Sequence, residues 1–219
     1  MVDGRVEAGD SPGVEAGEPP ADGRAARRER NVNAVLDVVV ELFTEGALFP
    51  TVDQVSKRSG VSVRSIYRYF ADPVDLHDAA IKRHREQSEP LAHLPSIGQG
   101  PLQRRIDEFV AMRLRLHDGV GAAYRATAHN APNHPRLRDE LARNRNDLRT
   151  QFERQFEPEL ALLKGPDRDA AVAAGDVLTQ LDSIDLLRRH RQLSVAEAAR
   201  ALRLGLQAIL RHQPTRRRS

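Results

Sequence analysis

Between Thr51 and Asp75 the chain marks its own helix boundaries, and their spacing dictates short helices separated by tight turns. Thr51 is placed to cap a helix over TVDQVSKRS, which ends at Gly60. After the turn Gly60-Val61-Ser62, Ser62 caps a further stretch, VRSIYRYF, in which Val63, Ile66 and Phe70 fall on one helical face. Asp72 caps the next helix, with Pro73 where a missing N–H costs nothing and Asp75 three residues after the cap. Ahead of this block, Val32, Val35, Leu36, Val39, Leu42 and Phe43 recur at helical spacing, giving a first amphipathic helix that stops around Gly46.

The rest of the chain keeps the same period. Past a break from Pro90 to Pro101, helices are expected at about 102–118, 120–130, 135–156, 167–190 and 194–212, divided by Gly119, the Pro132/Pro135 turn, Gly165-Pro166 and the Ser194 cap. Nowhere is there sustained period-two alternation with turn signals, so the predicted fold is all-α with about nine helices. A three-helix helix-turn-helix head over 24–88 is joined to a larger helical body over 101–212. An acidic, Gly/Pro-rich tail, 1–23, has too little apolar surface to offset its ordering entropy, and a short basic tail, 213–219, closes the chain.

Composition excludes some chemistry. The absence of cysteine removes disulfides, thiolate zinc sites and cysteine nucleophiles together, and fits a reducing cytoplasm. The longest apolar run, AVLDVVVELF, is interrupted by Asp37 and Glu41, so a cytoplasmic protein without a membrane span is expected. The net charge of +3 hides an asymmetry: residues 1–23 hold Asp3, Glu7, Asp10, Glu15, Glu18 and Asp22 against Arg5 alone, which leaves the remainder more basic than the whole. With a pI near 9.7, that excess favours a polyanionic partner.

The segment TVDQVSKRSGVSVRSIYRYFADPVDL resembles the DNA-binding head of the tetracycline-repressor (TetR) family, through Thr51, Gly60-Val61-Ser62, Ser65, Ile66, Tyr67, Tyr69 and Phe70. The resemblance covers roughly residues 28–87 and is only generic in the second half. It implies an all-helical homodimer, double-stranded DNA as partner and a small-molecule effector. One departure is Pro73, which stands where the family often has a lysine that contacts phosphate.

Size and chemistry agree with this reading. Eight helical residues from Val63 to Phe70 rise roughly 12 Å, comparable to the roughly 12 Å width of the B-DNA major groove. Arg64 and Arg68 are four apart and share the outward face, and a guanidinium can donate two parallel bonds to the O6/N7 edge of guanine. Arg64, Arg68, Ser62 and Val63 are therefore the expected base contacts, with Arg64 foremost. Thr51, Ser65, Tyr67, Tyr69, Arg28 and Arg30 are the expected phosphate contacts.

In the body, Arg113 and His117 fall in phase with Phe109, and together with Tyr124, Gln180 and Ser183 they are the candidates for an effector pocket. Only Phe109, Tyr124, Phe152 and Phe156 are aromatic there, which favours an aliphatic or small polar effector over a flat, stacked one. No catalytic residue, metal site or cofactor is called for. An alternative is a small helical hydrolase or metal enzyme using His129 and His134 beside Asp139 and Glu140; another is an architectural DNA binder with no effector. Apolar stripes with small residues, Ala171, Ala174, Val177, Leu178, Leu181, Ile184 and Leu187 on one side and Ala196, Ala199, Leu202, Leu206, Ile209 and Leu210 on the other, suit homodimerisation through the two C-terminal helices. Repression of a palindromic operator, relieved by the effector, is the expected mechanism.

Overall fold

The computed structural model describes residues 21–211. The expected basic tail 213–219 and residues 1–20 lie outside the described residues. Residues 21–23, expected in the acidic tail, instead open the first helix, where the alanine-rich ADGRAARR favours helix. Among the described residues there are nine α-helices and no strand. They are α1 (Ala21–Thr44), α2 (Val52–Ser59), α3 (Val63–Tyr69), α4 (Pro73–Ser88), α5 (Leu102–Asn130), α6 (Pro135–Leu160), α7 (Pro166–Thr179), α8 (Leu181–Asp185) and α9 (Val195–Leu210). None is long and apolar enough to cross a membrane.

Three boundaries differ from expectation, each for a tertiary reason. The helices expected at 102–118 and 120–130 are one helix, α5. Gly119 does not break it: a Cβ there would stand 2.3 Å from Leu91 Cδ1, so the glycine admits a neighbouring side chain and the roughly 1 kcal/mol propensity cost is borne inside the helix. The helix expected at 167–190 is interrupted at Gln180, whose backbone turns extended (ψ 153°) while its amide donates to Arg145 O at 3.1 Å and to Asp176. Beyond α8 the chain closes with one π-helical turn, Leu186–His190. The helix expected to end at 156 runs on through Pro158 to Leu160, held by the fully buried Leu160 and by the ion pair of Glu159 with Arg105 of α5.

Two apolar clusters organise the packing. The first gathers Val35, Val39 and Phe43 of α1, Val55 of α2, Ile66 of α3 and Leu76 and Ala80 of α4, and is completed by Ala123 and Ala126 of α5 and Leu137 of α6. The second lies between α5, α6, α7, α8 and α9, around Phe109, Phe152, Phe156, Ile184 and Leu202. The Pro90–Pro101 break is pinned rather than slack. It begins in a short 3₁₀ turn, Glu89–Ala92, and Leu94 is buried. Gln151 donates to Ala92 O at 2.7 Å, and Gly98 N donates to Gln155 Oε1 at 3.2 Å.

Of the apolar stripes expected at a dimer interface, Ala171, Leu181, Ile184, Ala199, Leu202, Leu206 and Leu210 are buried within their own chain. The apolar residues exposed on α7 and α9 include Val177 (65 % exposed), Leu204 (69 % exposed), Val195 and the alanines Ala170, Ala173, Ala174, Ala196 and Ala208.

Candidate nucleic-acid interface

The helix-turn-helix is fixed by local chemistry. Thr51 forms a reciprocal capping box with Gln54: Gln54 N donates to Thr51 Oγ1 at 3.2 Å and Thr51 N to Gln54 Oε1 at 2.8 Å. Gly60 ends α2 with φ 70°, a left-handed conformation that a side chain would strain. Ser62 then caps α3, accepting from Ser65 N at 3.3 Å and donating to Ser65 Oγ at 3.0 Å. At the far end Asp72 accepts from Asp75 N at 2.7 Å, and Asp75 accepts in turn from Ala71 N at 2.9 Å. These caps satisfy end groups that a helix of two turns would otherwise leave to water.

Helix α3 has seven residues rather than the expected eight, because Phe70 is its extended C-cap (φ −128°). Its rise is about 10 Å, still within the width of a major groove. Ile66 and Phe70 are buried and Val63 half-buried, so this side holds the helix against α1, α2 and α4. Arg64, Tyr67 and Arg68 are exposed on the outside, Tyr67 by 52 %. Val63 thus serves packing first, and only the start of the helix would let it reach a base.

Tyr69 does more than flank this face. Its half-buried phenolic oxygen accepts from Asn31 Nδ2 at 3.4 Å and from Arg68 Nη2 at 3.2 Å. Its ring has the Arg68 guanidinium 5.2 Å and the Arg28 guanidinium 5.8 Å from its centroid. The hydrogen bond from Asn31, then that from Arg68, lowers the phenol's pKa below its ordinary value. The hydroxyl proton, polarised in this way, is left to donate outward.

Some other arginines of the head are held by carboxylates. Arg58 pairs with Glu45 and Glu41, and Arg83 with Asp37 at 2.7 Å. Arg64 and Arg68 have no carboxylate partner among the described residues. Arg28 and Arg30 lie on the exposed N-terminal half of α1, Thr51 is exposed at the start of α2, and Ser62 and Ser65 share a hydrogen bond at the start of α3. Of the expected DNA contacts, Arg28, Arg68 and Tyr69 meet around one ring.

The expected effector residues do not assemble. A cavity of about 430 Å³ opens between α4, α5, α6 and α8, and of those six residues only Tyr124 lines it. Phe109 is fully buried against Phe152 and Phe156. Arg113, also fully buried, lies 4.5 Å over the Phe109 ring, donates to Gln151 and to Leu148 O at 2.7 Å, and has its pKa pushed down by burial to about 9. His117 donates to Asp185 at 3.3 Å and is lowered chiefly by burial. Gln180 donates through Nε2 to Arg145 O and Asp176 while its buried Oε1 has no partner, and Ser183 donates to Val177 O. Tyr124 donates to Asp182 and accepts from Arg145 Nε at 3.1 Å; burial, then the Asp182 bond, raises its pKa. Sequence reasoning missed the α4 wall of the cavity, Arg85 and Ser88 among it, because α4 reads as part of the head.

Nor does the histidine cluster form a metal site among the described residues. His134 stacks on Phe49 with centroids 5.5 Å apart, Glu140 pairs with Arg143 at 2.7 Å, and no group of metal-ligating side chains occurs among the described residues.

No protein-family model and no curated protein matches the sequence. Solved structures do match the fold. A transcriptional regulator from Rhodococcus sp. Rha1 aligns with TM-score 0.62 and 19 % identity over 84 % of this chain and 95 % of its own. A TetR-family transcriptional regulator from Streptomyces coelicolor aligns with TM-score 0.64 and 20 % identity over 84 % and 80 %. The multidrug binding protein EbrR, complexed with imidazole, gives TM-score 0.60 and 19 % identity over 87 % and 93 %.

Proposed function

We propose that this chain, which carries the fold of TetR-type regulators, is a homodimeric transcriptional regulator that reads a palindromic DNA site through α3. The observation that supports it most is a short helix held by Ile66 and Phe70 with two carboxylate-free arginines, Arg64 and Arg68, on its outer face. Phosphate neutralisation by Arg28 and Arg30 supplies affinity, and Arg64 supplies base discrimination. The exposed apolar strip of Val177 and Leu204 is the self-association surface, and a two-fold dimer sets two α3 helices about one DNA turn, roughly 34–36 Å, apart.

Repression is the output of a dimer seated on a promoter, and an effector in the cavity beside α4 relieves it. A ligand can do so only by differential affinity for a state in which α4, and with it the head, has moved. The likeness to a multidrug binding protein supports a small-molecule site in this fold. Selection of the full-length protein on random duplexes tests the reading. An inverted repeat with half-sites one turn apart is expected; binding without sequence preference at moderate salt indicates the architectural alternative.

A further inference from the structure

The cavity beside α4 has an apolar floor and an acidic opening. Leu116, Val120, Leu148 and Leu181 supply the floor, and the exposed carboxylates of Glu86, Glu89 and Asp147 stand at the opening. Across that opening reaches Arg85 of α4. Its Nη1 lies 3.4 Å from Asn144 Oδ1, 3.4 Å from Glu140 Oε1 and 4.0 Å from Asp147 Oδ2. Residues 140, 144 and 147 form one stripe along α6, so Arg85 fastens α4 to a single acidic face.

The fastening is incomplete. Glu140 is 4 % exposed; its Oε2 accepts from Arg143, but its Oε1 has no hydrogen bond, since Arg85 approaches without the required geometry. A buried carboxylate oxygen in this state favours a donor that can reach it. Carboxylates also outnumber arginines in the lining, Glu86, Glu89 and Asp147 against Arg85, and Glu140 stands next to that arginine.

We propose that the cavity binds a small aliphatic amine, whose chain covers the apolar floor and whose ammonium displaces Arg85 from the Glu140–Asn144–Asp147 stripe. An anionic ligand meets repulsion at the same opening, and a neutral hydroxyl can donate to Glu140 but forms the weaker, uncharged bond and cannot replace the Arg85 charge. The consequence for DNA rests on the regulator reading above: losing the Arg85 fastening loosens the C-terminal half of α4 from α6, while the Arg136–Asp75 pair and the packing of Leu137 still hold its N-terminal half.

The test uses the full chain and three probes sharing one hydrocarbon tail: octylamine, 1-octanol and octanoate. Octylamine raises the melting temperature, whereas the alcohol and the carboxylate do not. In calorimetric titration, Arg85→Gln binds octylamine several-fold more tightly because the competing guanidinium is gone, and Glu140→Gln binds it several-fold more weakly. Equal stabilisation by octanol or octanoate, no stabilisation by octylamine, or weaker octylamine binding by Arg85→Gln overturns the proposal. These measurements need no DNA. Octylamine binding that leaves duplex affinity unchanged therefore upholds the amine site and counts only against the effector reading.

Discussion

Asn31 of α1 donates to the phenolic oxygen of Tyr69, the last residue of α3, across 3.4 Å. The bond ties the arginine-bearing part of the first helix to the end of the helix proposed to enter the groove. It also sets Arg28 and Arg68 around one ring.

Tyr69→Phe keeps the ring and both cation contacts but removes the shared oxygen. Affinity for selected and scrambled duplexes alike is expected to fall by roughly 0.5–1.5 kcal/mol, the net worth of a hydrogen bond. Thermal stability should barely change, because the hydroxyl is at the surface. Fluorescence anisotropy on both duplexes checks this, and undiminished binding to both would remove Tyr69 from the interface.

Arg64→Ala separates reading from holding. On the selected site it should cost about 1–3 kcal/mol, with little loss on random DNA. Arg28→Ala should instead weaken both equally and flatten the dependence on salt. Equal losses on the two duplexes for Arg64→Ala would sink its role as base reader.

His77 makes the fold acid-sensitive. It is 1 % exposed, donates to Pro50 O at 2.9 Å and packs edge-on against Phe49, and burial lowers its pKa from 6.5 to about 4. The folded state therefore resists the proton that the unfolded chain takes up first. The stabilisation is complete above pH 6.5 and is lost as pH falls toward 4, by on the order of 3 kcal/mol. Urea midpoints at pH 7, 6 and 5 should drop accordingly, and His77→Gln, which keeps a donor for Pro50, should flatten the trend.

Gly175→Ala runs against helix propensity. A Cβ there would stand 2.0 Å from Cζ of the fully buried Phe152 ring, which has nowhere to turn between Phe109 and Phe156. A net loss of about 1–3 kcal/mol is expected despite a propensity gain of roughly 1 kcal/mol. A melting temperature at or above that of the parent would show that α7 can shift away from α6.

The double substitution Val177→Glu and Leu204→Glu places charge on the exposed apolar strip of α7 and α9 without touching the core. Sedimentation should then give a monomer, and affinity for an inverted repeat should fall to that for a single half-site. A dimer that survives both charges places the self-association surface elsewhere.

The head was legible in the sequence because its boundaries are local: Thr51, Gly60, Ser62 and Asp72-Pro73 each act within four residues of the backbone they terminate. The phase of Arg113 and His117 correctly pointed them inward, but phase does not say whether the inside is hollow or filled, and both proved packed. The cavity was illegible because its walls come from α4, α5, α6 and α8, and Arg85 and Asn144, which meet at its opening, are 59 residues apart in the chain. Gly119 misled for the same reason, since only its approach to Leu91 explains it.

Ala123, Ala126 and Leu137 complete the cluster that also holds α1 to α4. The N-terminal bundle therefore shares part of its interior with α5 and α6, and its melting is coupled to that of the helices behind it. Grafting this reading head onto another regulator would require importing that part of α5 and α6 as well, or accepting a hole where they had been.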